Sequence, residues 1–287
     1  MQCPKLSAVP VSYAQEFAAR TRVFKTFAVP TSRIEIFLTM KPTLDSDRDG
    51  YRGMTWAERS QYGVLGAALD PADKSGRKNV YIDRLHRLAL RDALGDKNFK
   101  RALDFGCGPG RFLSLLGERS AEVYAVDRTP EMLEIAQRSH RSPKNHFLLS
   151  RDTHLPFEDR YFDLILSVYV VSVMPRVDVM SVVNELGRVC SLGGTTVMIE
   201  QVDHSRQLGP AAYRQIFDAA GFNVMRAVPI RTSSSQFMRC AMNPLLPRFL
   251  TGPLARAELS QRKHTRFLAD TLGYWDYLFV LRKKPTT

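Results

Sequence analysis

The stretch LDFGCGPGRF, residues 103–112, constrains the fold of this chain more than any other. An apolar segment ending at Phe105 predicts a short strand, and three alternating glycines then precede an amphipathic helix. Because glycine has no Cβ, the backbone can turn sharply at the end of the strand and approach a ligand closely. Free N–H groups at the start of the next helix can meet polar groups of that ligand. The sequence therefore predicts a ligand site at this turn.

The spacing of these glycines is G-x-G-x-G, and Arg111 stands where a dinucleotide fingerprint needs its third glycine. Two further predicted strands, residues 122–127 and 146–152, each end in an aspartate. The carboxylate of Asp127 can accept both hydrogen bonds of a ribose diol. Strands that alternate with helices predict an α/β fold with a mostly parallel sheet.

These segments resemble the class I S-adenosylmethionine-dependent methyltransferases, in particular the type 11 group. LDFGCGPGRF is similar to the glycine loop of that family, AVDRTPEMLEIAQ to the segment after strand two, and SRDTHLPFEDRYFDLILS to the stretch from the adenine pocket into strand four. NELGRVCSLGG is similar to the turn before strand five, with Ser191-Leu192 where Lys-Pro is usual. The resemblance covers residues 99–227 and a last strand near 274–282, close to half of the chain.

The resemblance implies a Rossmann-like α/β fold: a seven-stranded, mostly parallel sheet with helices on both faces. Residues 1–98 would form an N-terminal helical extension or lid, and residues 99–287 the methyltransferase domain. An insertion at about 229–273 separates strand six from the last strand, at about 274–282, and we expect it to recognise the acceptor. Apolar residues at helical spacing in residues 82–94 predict an amphipathic helix that packs on the sheet.

S-adenosylmethionine is the cofactor that the resemblance implies. Asp104 and the glycine loop would hold its methionine end, and Asp127 its ribose hydroxyls. Asp152 and Thr153 would bind the adenine edge, and Ser167 would lie near the sulfonium. Met132 would either cover the adenine or pack against the sheet. The predicted cofactor-binding residues are Asp104, Gly106, Cys107, Gly108, Gly110, Asp127, Arg128, Met132, Asp152, Thr153 and Ser167.

Methyl transfer needs the acceptor, the methyl group and the sulfur in line, and a base when the acceptor is a hydroxyl. Ser167-Val168-Tyr169-Val170 stands where amino-methylating members of the family carry a tetrapeptide of the Asn-Pro-Pro-Tyr kind, which favours an oxygen acceptor. His204, four residues beyond Glu200, is the candidate general base, because an imidazole pKa near 6.5 suits proton removal at neutral pH. Tyr169 and Glu200 are alternative bases, and His204 could equally be a surface residue.

The net charge of the chain is +12, and residues 227–287 hold ten Lys and Arg against three acids. This favours an anionic partner. Lys74–Asn79 is either a solvated loop or an anion cradle before the amphipathic helix. Residues 64–90 resemble segments of bacterial methyltransferases associated with surface polysaccharides. We therefore predict O-methylation of a small-molecule or glycan-type acceptor. The positive charge of the chain would suit an acceptor that carries an anionic group.

Two other classes of function stay open: a methyltransferase of RNA or another nucleic acid, and a cofactor-binding protein without catalysis. The basic residues of 227–270 have few aromatics between them and do not form a stacking platform, which weakens the case for a nucleic-acid methyltransferase. No metal is expected, because the four cysteines lack C-x-x-C spacing and Trp56 replaces the glutamate of a calcium loop that would begin at Asp45. The longest apolar run falls far short of the ~20 residues of a membrane span, so we expect a cytoplasmic protein.

Overall fold

The computed structural model describes residues 54–202, 209–232, 235–264 and 275–285, all within one compact unit of residues 42–287. The strands in this part of the chain are β1 Phe99–Phe105, β2 Ser120–Asp127, β3 Asn145–Leu149, β4 Phe162–Val168, β5 Cys190–Val202, β6 Phe222–Thr232 and β7 Trp275–Lys283. The α-helices are α1 Trp56–Arg59, α2 Gly63–Ala68, α3 Arg77–Leu94, α4 Leu113–Gly117, α5 Pro130–Ser139, α6 Arg176–Val189, α7 Pro210–Ala219, α8 Gln236–Met242 and α9 Thr251–His264.

The strands form one seven-stranded sheet in the order β3-β2-β1-β4-β5-β7-β6. β1 to β5 pair in parallel, whereas β7 is antiparallel to both of its neighbours, β5 and β6. The predicted seven-stranded, mostly parallel sheet is confirmed. The carboxyl ends of the parallel strands meet at one edge, here named the carboxyl edge. The first residues of β7 reach the same edge, because Asp276 pairs with Gln201 of β5 and with Arg231 of β6.

Helices cover both faces of the sheet, as the resemblance implied. Successive side chains of a strand point to opposite faces, so Leu103 and Ala102 of β1 belong to different core clusters. Leu103 packs in the cluster of α6 and α7, and Ala102 in the cluster of α3, α4 and α5. The central strands are thus apolar on both faces, which is why they occur as nearly unbroken hydrophobic runs in the sequence.

The predicted amphipathic helix is confirmed as α3, but its buried side packs against two partners. Ala89, Leu90 and Leu94 contact the sheet, as predicted. The earlier turns carry Tyr81, Ile82 and Leu85 into a third cluster, formed with α8 and α9 from the segment between β6 and β7. In that cluster the hydroxyl of Tyr81 donates to Glu258 at 2.5 Å, both side chains being buried. The long segment before β7 is therefore built onto α3.

The sequence predicts a sixth strand over residues 222–228 and a helix from Arg111 after the glycine loop, and both boundaries were wrong. β6 continues to Thr232, because this strand lies at the edge of the sheet, where Pro229 is tolerated. The helix after the glycine loop begins at Leu113. The sequence also predicts that Thr129-Pro130 opens the next helix, and this is confirmed: Thr129 is the N-cap of α5 and Pro130 lies in its first turn.

Candidate active site at the carboxyl edge

The glycine loop after β1 has a left-handed backbone at Gly106, Gly108 and Gly110, with φ of 70°, 52° and 85°. A Cβ on Gly106 would lie 2.3 Å from Val170 Cγ2, and a Cβ on Gly110 would lie 2.8 Å from the ring of His140. A Cβ on Gly108 would meet no atom within 4 Å. Gly106 and Gly110 thus serve packing, whereas the loop is open at Gly108, where a ligand can approach the backbone.

Asp127, the last residue of β2, fixes the glycine loop through its carboxylate. Its Oδ2 accepts from the backbone N–H of Gly108 at 2.7 Å, and its Oδ1 from that of Thr129 at 2.8 Å. Burial raises the pKa of Asp127, and the backbone donors oppose that rise. The carboxylate therefore joins the ends of two adjacent strands at the predicted ribose site.

Asp104 lies one residue before the end of β1 and is 2 % exposed. Its Oδ2 has no hydrogen-bond partner within the described part of the chain. Burial and the negative charge of Asp127 together raise the pKa of Asp104 to about 7, against the opposing charge of Arg111. A buried, unpaired carboxyl oxygen costs stability, so it is expected where a ligand supplies the missing partner.

The other residues predicted for the cofactor fall into two groups. Cys107, Met132 and Ser167 are buried, and the hydroxyl of Ser167 has no partner among the described residues. Burial raises the pKa of the Cys107 thiol well above its usual value, so it stays neutral. The exposed residues are Arg128, Asp152 and Thr153. The third strand was predicted to end at Asp152, but β3 ends at Leu149, so Asp152 and Thr153 lie in the loop that follows it. We call Asp104, Gly106–Gly110, Asp127 and Ser167 the glycine-loop site.

A second group of polar side chains lies at the carboxyl edge and was not predicted. It consists of His86, Arg111, Tyr169, Arg231 and Asp276, and we call it the paired cluster. Asp276 is fully buried and accepts from Tyr169 Oη at 2.7 Å and from Arg231 Nε and Nη2 at 2.5 and 3.1 Å. His86 Nε2 lies 3.2 Å from Tyr169 Oη. These residues come from α3, the glycine loop, β6, β7 and the end of β4.

The hydrogen bonds of the paired cluster fix where its protons lie. Arg111 Nη2 lies 3.0 Å from His86 Nδ1, and a guanidinium can only donate, so Nδ1 accepts and Nε2 carries the proton. Nε2–H then donates towards Tyr169, whose own hydroxyl donates to Asp276. Burial lowers the pKa of His86 to about 4, which keeps the imidazole neutral, although Asp276, whose Oδ2 lies 3.5 Å from His86 Nε2, opposes this shift.

The charges of the paired cluster are balanced by ion pairs. Burial alone would raise the pKa of Asp276, but the charge of Arg231 and the bond from His86 hold it at about 2. Arg111 in turn forms an ion pair with Asp83 of α3 at 3.3 Å. Burial raises the pKa of Tyr169 well above its usual value. Asp276 is therefore ionised and Tyr169 protonated at neutral pH.

The turn after β4 is held by Glu200, which is buried near the end of β5. Its carboxylate accepts from the backbone N–H of Ser172 at 2.8 Å and of Val171 at 3.3 Å. Burial raises the pKa of Glu200 to about 7. Tyr169 opens this turn with a φ of 59°, uncommon for a residue with a side chain. Glu200 and the paired cluster thus stabilise a strained backbone turn beside Ser167.

His204, the predicted general base, lies outside the described residues, so its role stays a prediction. Among the residues that the structure describes, no group of three His, Cys, Asp or Glu side chains could hold a metal ion. None of the helices described here has the length and apolar character needed to cross a bilayer.

One signal in the sequence could have pointed to the paired cluster. Asp276 interrupts the apolar strand WDYLFVL, and an isolated charge in a central strand must have a partner. Arg111 also differs from the expected pattern, because it stands where a dinucleotide fingerprint has its third glycine. A large cation at a position that packs closely needs a partner nearby.

Comparison with known proteins agrees with this geometry. Residues 103–198 match a family model described as a methyltransferase domain. The chain is 36 % identical over 131 residues to a malonyl-[acyl-carrier protein] O-methyltransferase of Salmonella typhimurium, over 46 % of this chain and 51 % of that protein. It is 25 % identical over 219 residues to a fatty-acid O-methyltransferase of Mycolicibacterium smegmatis, over 73 % of this chain and 77 % of that protein.

The fold also matches solved structures. A geranyl diphosphate methyltransferase in complex with SAM superposes with a TM-score of 0.54 at 15 % identity, over 77 % of this chain and 96 % of that one. At such low identity the match shows the fold alone. The matched domain, the seven-stranded sheet and the glycine loop together support a class I S-adenosylmethionine-dependent methyltransferase.

Proposed function

We propose that this protein transfers the methyl group of S-adenosylmethionine to a carboxylate oxygen of a small, largely apolar acid, producing a methyl ester. The observation that carries the proposal is that the side chains of the paired cluster are hydrogen-bonded to one another. Its candidate bases are already committed to partners within the protein. A carboxylate is the oxygen acceptor that needs no base at neutral pH.

The residues of the glycine-loop site fit the cofactor. Among the described residues, Asp104 Oδ2 and the Ser167 hydroxyl are buried without a hydrogen-bond partner, so each can bind a polar or positively charged group of a ligand. The open space at Gly108 admits a ligand against the backbone. Asp104 would bind the amino group of the cofactor and Asp127 its ribose hydroxyls. When bound, S-adenosylmethionine supplies a methyl group on a positively charged sulfur, which leaves as a neutral thioether.

The side chains near the end of β4 favour an acceptor that is already ionised. The hydroxyl of Tyr169 donates to Asp276, and the lone pair of His86 Nδ1 receives a donor from Arg111. Glu200 accepts two backbone N–H groups. Among the residues described at this edge, these side chains serve as structural partners, so they are poorly placed to remove a proton. Catalysis would then rest on alignment and exclusion of water.

The names of two relatives support the same class of acceptor. A malonyl group and a fatty acid each carry a carboxyl group, and both relatives are named O-methyltransferases. The positive net charge of the chain also favours an anionic acceptor. Part of the insertion predicted to recognise the acceptor reaches this edge, because Met238 Sδ of α8 lies 4.0 Å from Arg231 Nη1. We infer that α8 contributes an apolar wall to the acceptor side.

Transfer of label from methyl-labelled S-adenosylmethionine to a series of monocarboxylic acids of increasing chain length tests this function. We expect a labelled product that releases labelled methanol in mild alkali, as methyl esters do and ethers do not. Alkali-stable label in a glycan, label in RNA, or no transfer to any acid would each contradict the proposal. His204→Ala separates the mechanisms: a carboxylate acceptor predicts nearly unchanged kcat, whereas a hydroxyl acceptor with His204 as base predicts a ~10²–10⁴-fold loss.

Calorimetry with S-adenosylmethionine tests the cofactor site independently of the acceptor. Asp127→Asn should weaken affinity more than tenfold, because charge-assisted hydrogen bonds contribute ~1.5–3 kcal/mol each. Asp163→Asn is the matched control. Its carboxylate also accepts two backbone N–H groups, from Lys100 and Arg101, but lies at the opposite end of β4. Equal affinity of both variants would remove the assignment of Asp127.

A further inference from the structure

The loop between α8 and α9 exposes large apolar side chains. Leu245 is 88 % exposed and Phe249 is 73 % exposed, the highest fractions among the exposed large hydrophobic residues of the described chain. Met242, at the end of α8, is also exposed. The neighbours Leu246 and Leu250 are partly buried, so the loop has an inner and an outer apolar side. Exposed apolar groups of this size, set together, mark a surface that contacts another molecule.

This loop is fixed in place by the helix beneath it. Arg77 of α3 donates to the backbone carbonyls of Leu246 at 2.9 Å and Pro244 at 3.0 Å. Arg84, two turns further along the same helix, donates to the carbonyl of Arg248 at 3.0 Å. The carbonyl side of the loop thus lies along α3, and its outer side carries Leu245 and Phe249. Such a bound loop presents these side chains without the ordering cost of a flexible one.

The same bonds set the charge of the surface. A guanidinium that binds a neutral carbonyl keeps its full positive charge, so Arg77 and Arg84 place two cations at the base of the loop. Arg248 lies within the loop and Arg239 on α8, both exposed. From residue 235 to 261 the sequence has a single acid, Glu258, which is buried against Tyr81. Two protruding apolar side chains therefore stand in a field of cations with no exposed acid in the same segment.

The geometry points to the surface of an anionic lipid bilayer as the partner of this loop. Leu245 and Phe249 would insert between lipid headgroups, and the exposed Arg239 and Arg248 would contact lipid phosphates. The charges of Arg77 and Arg84 beneath the loop would add to the attraction. A peripheral membrane site needs this combination of apolar insertion and electrostatic attraction. A protein partner would instead need acids to match the arginines and a pocket for each apolar side chain. This surface is separate from the glycine-loop site, so its failure would leave the proposed methyl transfer untouched.

Sedimentation with vesicles tests the proposal on the full chain. We expect the protein to bind vesicles of phosphatidylglycerol and phosphatidylcholine in equal parts, and to bind pure phosphatidylcholine at least tenfold more weakly. The binding should fall steeply with salt, because it depends on surface charge. Equal partition into both vesicles, or no binding to either, would overturn the proposal.

Variants locate the contact. The double substitution Leu245→Glu and Phe249→Glu should weaken binding to the mixed vesicles more than tenfold. The double substitution Met225→Glu and Leu192→Glu adds the same two charges at exposed apolar residues of β6 and β5, so it is the matched control and should bind like the wild type. Arg239→Glu should weaken binding, whereas Lys144→Glu, at an exposed cation outside this surface, should change it much less. An equal loss in a variant and its control would mean that net charge alone drives binding.

A variant that gains a fluorescence signal on binding tests the same contact without depending on a loss of binding, which unfolding could also cause. Phe249→Trp places an indole on the loop, and its emission should shift to the blue when mixed vesicles are added, relative to the wild-type spectrum. An unshifted spectrum with bound protein would show that another surface makes the contact. A wild-type protein that sediments as a dimer, and becomes monomeric when Leu245 and Phe249 are replaced by Glu, would assign the loop to a second copy of the chain and overturn the lipid proposal.

Discussion

The glycine-loop site and the paired cluster lie at the same edge of one sheet, yet they treat buried polar groups in opposite ways. In the glycine-loop site the carboxyl of Asp104 and the hydroxyl of Ser167 are buried, and within the described part of the chain each has an oxygen without a partner. No described atom lies near a Cβ placed on Gly108. In the paired cluster Asp276 is equally buried and receives hydrogen bonds from Tyr169 and Arg231.

The difference separates binding groups from supporting groups. An unpaired buried oxygen costs stability and is retained where a ligand completes it. A charge that is already paired offers a ligand little, and its loss leaves the partner charge buried alone. Substitutions of Asp104, Gly108 and Ser167 in the glycine-loop site should therefore lower affinity more than stability. Substitutions in the paired cluster should lower stability first.

Asp276→Ala should have the largest effect on stability. It removes the counter-charge of Arg231, which is 2 % exposed, and the acceptor of Tyr169. Leaving a buried charge unpaired costs ~3–5 kcal/mol, so we expect a loss of that size in the free energy of unfolding, measured in urea. Asp218→Ala removes an exposed ion pair with Lys284 and should cost less than ~1 kcal/mol. A similar loss in both variants would show that the buried ion pair of Asp276 contributes no more to stability than an exposed one.

Two alanine substitutions in the glycine loop sharpen the comparison. Gly106→Ala would place a Cβ 2.3 Å from Val170, so overpacking and backbone strain together should cost ~2–4 kcal/mol of stability. Gly108→Ala meets no neighbour, so it should cost only ~1 kcal/mol of backbone strain while weakening cofactor affinity more than tenfold. Urea unfolding and calorimetry measure the two effects. A Gly108→Ala variant with wild-type affinity would show that the ligand does not approach this backbone.

A region can be predicted from the sequence when the residues that form it are close together in the chain. The sheet, the glycine loop and α3 were predicted because each depends on the spacing of neighbouring residues. The paired cluster was missed because Tyr169 lies 83 residues from His86 and 107 residues from Asp276. Only the fold brings them together.

The pH dependence of stability tests the unpaired state of Asp104. Burial raises its pKa to about 7, so the folded protein keeps a proton that the unfolded chain has lost. This proton's contribution to stability is complete below pH ~4 and is lost as the pH rises through 7, at up to ~1.4 kcal/mol per pH unit.

Asp104→Asn removes this titration. The free energy of unfolding of the wild type should therefore fall relative to the variant between pH 5 and 7, while Glu200 titrates in both proteins and cancels. The affinity of the wild type for S-adenosylmethionine should rise over the same range, because the ionised carboxylate binds the cationic group, and the variant should bind weakly at every pH. A difference in stability that is constant with pH would mean that Asp104 is ionised throughout.

Tyr169→Phe should have the smallest effect, although Tyr169 was a candidate catalytic residue. Its hydroxyl donates to Asp276, which keeps both bonds from Arg231, and accepts from His86 Nε2, which also lies 3.5 Å from Asp276 Oδ2. Because both partners keep a neighbour, the free energy of unfolding should fall by only ~0.5–1.5 kcal/mol. If the acceptor is a carboxylate, the reaction removes no proton, and kcat should stay within about threefold of the wild type at every pH. A general base in this position would contribute ~10²–10⁴-fold. A loss of that size, with unchanged cofactor affinity, would therefore show that Tyr169 takes a proton despite its bond to Asp276, and that the acceptor is a hydroxyl.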